Sequence, residues 1–295
     1  MRNFAPCQIY DVSLLDKFLN NRQNPSGEMS FMDHIEELRW HLVRSVIAIF
    51  IAAIFVFIKI DWIFHNIILG PSHPEFIAYK WFCQLGALLH IDALCLTAVK
   101  LKFQNTQMAG QFIMSFSVSL MLGFILAFPY VFWEFWRFIS PALKDNERKN
   151  ARGIVFWCSL LFFAGVLFSY YIIVPYTINF FAGYQLSPEF ENIITIDNYY
   201  DTLSDLVIGM GVVFELPIVV FFLSRLGILT PQMMRKQRRY AVLILLILAE
   251  VITPPDWFSC FLVFIPLYFL YELSIIISER AVKQRKRKQA LREQE

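Results

Sequence analysis

Apolar runs separated by polar connections fill the chain from about residue 42 to residue 278, and their lengths suit a membrane better than a globular core. The hydrocarbon interior of a bilayer is about 30 Å thick and takes about 20 helical residues to cross. Six runs stand out. They cover 42–58, with Arg44 at its start; 112–133, uncharged; a third from 154 that stays uncharged beyond Pro175; 206–223, interrupted only by Glu215; 241–252, holding Glu250; and 257–278, holding Glu272. The pattern predicts an all-α integral membrane protein with six transmembrane helices, the last two short. At about 1.5 Å per residue the fifth run rises only about 18 Å, well below the hydrocarbon thickness. Two short spans that thin the bilayer locally are the favoured reading. A re-entrant hairpin turning at Thr253-Pro-Pro-Asp256 is the alternative.

Lysine and arginine set the orientation, because they are retained on the cytoplasmic side. Residues 1–44, 134–153, 225–240 and the tail from 278 hold 22 of them, against four in the alternate connections (Lys59, Lys80, Lys100 and Lys102). Both termini are therefore expected in the cytoplasm. Composition agrees: 57% of the 295 residues are hydrophobic and 17% charged. That balance argues against a soluble enzyme, a disordered chain and a secreted disulfide scaffold. The net charge of +2 implies no nucleic-acid partner.

The organisation reads as a polar leader over 1–28, a membrane domain over 29–278 and a basic cytoplasmic tail over 279–295, placed to touch anionic membrane lipids. The leader lacks the apolar stretch of a cleavable signal peptide. Five scattered Cys without a CxxC pair imply no metal site. In the long outer connection, 59–108, an amphipathic stretch near 81–96 carries Cys83 and Cys95 on the side that permits oxidation. A disulfide and two separate thiols both stay open there.

Glu215 is the sharpest chemical signal. A carboxyl in mid-span is costly, so it must face protein or water and usually marks function. Pro217, two residues on, has no N–H for the carbonyl of Val213 and should bend the helix beside the acid. The alternative is a Glu that merely glues two helices. Asp256 after two prolines reads first as a turn or helix cap, and Glu250 is balanced between function and a water-reaching side chain. On the cytoplasmic side, Glu36, Glu37, Arg39 and His41 have the spacing of i,i+3 and i,i+4 pairs. Asp145 and Glu147 suit the start of the third helix. Two acidic groups on a face that should be positive suit a cationic ligand.

With these segments placed, the chain closely resembles the TatC family, the polytopic core of the twin-arginine protein translocase. The resemblance covers about residues 30–278. It rests on His34-Ile-Glu-Glu-Leu-Arg39, on Phe138-Ile-Ser-Pro-Ala-Leu with Glu147-Arg148, on Phe214-Glu215-Leu-Pro217, and on Thr253-Pro254-Pro255-Asp256 followed by Pro266 and Glu272. Six spans, a concave glove-like bundle and both termini inside, in the inner (plasma) membrane, are what it implies for the fold and its location. For function it implies a receptor that binds twin-arginine signal peptides and, with small single-span subunits of the TatA/TatB type, moves folded proteins on the proton-motive force. Other TatC copies are implied partners and no cofactor is.

Glu37 and Glu147 then match the acids that hold the arginine pair, with Arg39, Arg148 and Phe138 beside them. Glu215, with Phe214 and Pro217, matches the intramembrane polar site where partners dock. Asp256, with Pro254 and Pro255, matches the outer mouth. Two departures stand out: Cys260 where the family has a polar amide, and Glu250 where an apolar residue is common. Met29 resembles a family start, so residues 1–28 are expected to come from an upstream start codon. The rival readings are a proton-coupled small-solute transporter using Glu215, an intramembrane hydrolase and a pure scaffold. No internal repeat supports the first, and no mid-span His supports the second. The third leaves the paired cytoplasmic acids unexplained.

Overall fold

The computed structural model describes residues 31–90, 95, 101–139, 151–187, 189, 192–253 and 257–292. Among them, five helical stretches are long and apolar enough to cross a membrane: Glu36–Ile58, Gly110–Ile139, Gly153–Gly183, Ile196–Leu226 and Ser259–Arg280. The long helices are α1 (Phe31–Ile58), α3 (Gly110–Ile139), α4 (Ala151–Phe168) running through a π turn into α5 (Val174–Gly183), α6 (Ile196–Val213) followed at once by α7 (Leu216–Leu226), and α10 (Trp257–Arg292). Shorter helices are α2 (Ile77–Leu89), α8 (Pro231–Lys236) and α9 (Arg238–Ile252).

The fifth predicted span is α9. Its 15 residues rise about 22 Å, so it stands outside the five long stretches. One boundary differs from expectation. The polar stretch between the third and fourth apolar runs, up to residue 205, is largely helical, because α5 reaches Gly183 and α6 opens at Ile196. Asp197, Asp201 and Asp205 thereby lie on α6, where Thr195 caps the helix by accepting from the Asn198 N–H at 3.4 Å. An acid in that first turn also suits the helix dipole. The helix that carries the sixth apolar run, α10, continues through the basic residues to Arg292.

Packing follows from side-chain size. A Cβ at Gly123 on α3 would fall 2.7 Å from the Ala53 amide nitrogen and 2.9 Å from its Cα on α1. With little hydrophobic drive between helices in lipid, such small-residue contacts let backbones approach and gain dispersion. Gly165 on α4 does the same against the Met210 carbonyl of α6, 2.6 Å from where a Cβ would sit. On α3, Met114, Val118, Met121, Ile125 and Phe128 are buried at alternating steps of four and three, one stripe of a 3.6-residue helix. They meet Phe162 of α4, Leu206 and Met210 of α6, and Val263 and Leu267 of α10 in one core.

The ends of the bundle differ. At one end the chain after α1 folds back as a cap. Three tyrosine hydroxyls donate to consecutive parts of its turn: Tyr170 to the Ile67 carbonyl (2.6 Å), Tyr199 to Ile68 (2.6 Å) and Tyr79 to Pro71 (2.8 Å). Strands β1 (Phe103–Gln104) and β2 (Ile194–Thr195) pair in parallel beside it. A disulfide joins Cys83 to Cys95, resolving the alternative that the sequence left open. The opposite end collects the N-terminus of α1, the C-termini of α3 and α7, the N-terminus of α9 and the distal half of α10. There Ser224 and Ser278 hydrogen-bond at 2.6 Å, Arg238 donates to Glu272 at 2.9 Å and Arg235 pairs with Glu279.

Candidate functional site

The first candidate site lies at that second end, where α1 and α3 run side by side. Glu37, on the opening turns of α1, is half-exposed and faces His41 one helical turn later, with Oε1 3.9 Å from Nε2. The same imidazole meets Phe138 of α3 edge-on, with ring centroids 6.3 Å apart. Two of the predicted site residues thus converge on one ring. Arg39 is exposed on α1. Glu147 and Arg148 lie outside the described residues.

Beneath them is a group the sequence reading passed over. Glu134 sits inside the aromatic stretch at the end of α3 and is only 2% exposed. Its Oε2 lies 2.5 Å from His41 Nδ1 and 4.0 Å from Arg44 Nη1, while Oε1 lies 3.5 Å from Arg137 Nη1. A buried carboxylate needs partners of this kind. The available signal was its composition: it is the sole acid in a thirty-residue helix. The predicted i,i+4 contact of Glu37 with His41 forms, but the shorter bond of His41 is to another helix.

The second candidate site is the break between α6 and α7. α6 stops at Val213 and α7 starts at Leu216, with Pro217 in its first turn and Glu215 at the junction. This is the predicted interruption beside the acid. The backbone resumes as a new helix start: the Glu215 carbonyl accepts from both Ile218 (2.9 Å) and Val219 (3.0 Å). Phe214 packs on Phe168 with centroids 5.8 Å apart. The Glu215 carboxyl is turned inward. Both of its oxygens are buried without an N–H or O–H partner, and the weak-donor thiol of buried Cys158 is the polar group beside them.

Pro254, Pro255 and Asp256 lie outside the described residues. On either side of them, Thr253 is buried with its hydroxyl on the Ala249 carbonyl (3.0 Å), and Ser259 shares a 3.3 Å hydrogen bond with Thr177 of α5. Cys260 is buried too, whereas Glu250 is exposed on α9.

This arrangement has known relatives. Residues 33–266 match the family model described as Sec-independent protein translocase protein (TatC). A protein of that name from a Blattabacterium of Periplaneta americana is 42% identical over 258 residues, covering 87% of this chain and 97% of its own length. The Sec-independent protein translocase protein TatCy of Bacillus subtilis is 33% identical over 267 residues, covering 90% and 94%. A crystal structure of the twin-arginine translocase receptor TatC superposes with a TM-score of 0.65 at 28% identity, covering 84% of this chain and 99% of that one. The helix order, the kinked acid-bearing span and these matches together place the chain in the TatC family, as a multi-span membrane subunit of the Sec-independent, twin-arginine protein translocase.

Proposed function

We propose that this subunit is the receptor for signal peptides bearing paired arginines, and that it works by binding rather than by making bonds. The observation that supports this best is Glu37, half-exposed at the arginine-rich end of the bundle with Phe138 across a shared imidazole. A carboxylate can take a guanidinium through two parallel N–H···O bonds, which the compact ammonium of lysine cannot reproduce. Phe138 supplies an apolar wall that the guanidinium plane or the peptide's apolar segment can lie against. Glu147 would complete the pair of acids, flanked by Arg39 and Arg148.

In this reading both termini and the basic end face the cytoplasm of the inner membrane, and α9 and α10 form two short crossings. The signal's apolar stretch follows its arginines into the membrane. Single-span partners of the TatA/TatB type dock at the break around Phe214, Glu215 and Pro217. Asp256, Pro254 and Pro255 form the outer mouth, further TatC copies assemble alongside, and the proton-motive force drives transport.

The test is crosslinking of an Arg-Arg signal peptide, against a Lys-Lys control, to the detergent-solubilised protein. Wild type should capture the Arg-Arg peptide, and Glu37→Ala and Glu147→Ala should each abolish capture. Crosslinking that ignores both the arginines and the acids would overturn the receptor reading.

A further inference from the structure

We propose that His41, clamped by Glu134, is the positioning residue of the arginine-binding site, setting both the place and the effective charge of the Glu37 carboxylate. The inference deepens the receptor reading and rests on it.

The geometry leads there in three steps. First, Glu134 is an anchor. Its carboxyl is 2% exposed, and of its cationic neighbours Arg44 and Arg137 are about half exposed while the His41 side chain is 8% exposed. The 2.5 Å bond to His41 Nδ1 is the shortest contact in the cluster, and with the 4.0 Å approach of Arg44 it joins α3 to α1. Secondly, that bond decides what the other ring nitrogen does. With Nδ1–H given to Glu134, Nε2 faces Glu37, carrying a lone pair in the neutral ring and an N–H in the imidazolium. Thirdly, the same ring abuts Phe138, so any rotation of it shifts both walls of the site.

Charge accounting gives this a sign. An imidazolium beside Glu37 competes with an arriving guanidinium for the carboxylate, whereas a neutral imidazole leaves the carboxylate to the peptide. Among the described residues, the ionisable groups around the ring are Glu37 and Arg44 from α1 and Glu134 and Arg137 from α3, with Tyr130 beside Glu134. Of these groups and the ring itself, imidazole is the one whose ordinary titration falls between about pH 5.5 and about pH 8. Glu134 holds the charge nearest the ring, 2.5 Å from Nδ1.

The experiment is fluorescence anisotropy of a labelled Arg-Arg peptide with capped ends and no His, Asp or Glu, binding the full chain in detergent across that pH range. Wild-type affinity is expected to rise about fivefold from the acid to the alkaline limit. In His41→Gln the profile should be flat. In Glu134→Gln, which keeps an acceptor for the ring but removes the charge beside it, the profile should persist with its midpoint displaced. A purely structural role would change affinity alike at every pH and leave the midpoint in place. A wild-type profile that His41→Gln reproduces, or an unmoved midpoint in Glu134→Gln, overturns the proposal. Should the melting profile show that His41→Gln does not fold, the midpoint in Glu134→Gln decides alone. A wild type that binds Arg-Arg no better than Lys-Lys at any pH overturns the receptor reading itself.

Discussion

Replacing Glu215 by Met should stabilise the isolated protein and impair its work. Both carboxyl oxygens are buried with no N–H or O–H partner and only the weak-donor thiol of Cys158 beside them, and a buried polar group left so poorly paired costs about 1–3 kcal/mol. Met has nearly the shape of Glu without the oxygens and fills irregular space readily. Taking about 2 kcal/mol as the gain, and about 2–4 °C per kcal/mol for chains of this size, the melting midpoint should rise by about 4–8 °C. The break between α6 and α7 should survive, because Pro217 rather than the acid interrupts the backbone ladder. The assay is thermal unfolding of purified protein in detergent, followed by tryptophan fluorescence, alongside export of a folded Arg-Arg substrate by cells carrying each variant. Glu215→Gln is the control and should gain less, because an amide remains buried. A Met variant that melts at or below wild type would refute the argument that the carboxyl is an uncompensated burden kept for docking. Higher stability with full export would refute the docking role instead.

Three further outcomes follow from the packing. Tyr199→Phe leaves the buried Ile68 carbonyl without the 2.6 Å bond that joins α6 to the cap, so it should cost about 1–3 kcal/mol, read as faster proteolysis in the 59–108 region. Gly123→Val places a branched side chain where even a Cβ would lie 2.7 Å from backbone. No side chain can yield there, so α1 must separate from α3, and a cysteine pair engineered across that contact should crosslink poorly. Tyr79 lies outside the long stretches, and burial pushes its hydroxyl up from 10.0 to about 12. The folded state holds that proton while the unfolded chain releases it, so stability present at neutral pH should be lost as pH rises from about 10 towards about 12. Tyr79→Phe should flatten that loss in alkaline denaturation.

Much of the fold was legible in the residues. Long apolar runs in a chain with few charges leave no alternative to helices that satisfy their own backbone, and Pro217 marked the break because a missing N–H acts locally. Glu215 and Glu37 stood out for the same reason, as charges set against their surroundings. The ends of the helices were less legible. Asp197, Asp201 and Asp205 read as loop because hydropathy falls there, yet tertiary packing of Tyr199, Leu203 and Leu206 carries α6 through them. The basic tail continues α10 because Lys and Arg are good helix formers, which a hydropathy pattern ignores.

The sequence by itself determined the membrane class, the order of the long helices, the kink beside an intramembrane acid and the motifs shared with the TatC family, since each depends on local composition or on residues a few positions apart. Only the tertiary structure decided that Cys83 meets Cys95, that the Glu215 carboxyl turns inward beside Cys158, and that Glu134 reaches across 93 positions to His41. A carboxylate's partners are fixed by which helices pack together and at what rotation, and no one-dimensional spacing encodes that.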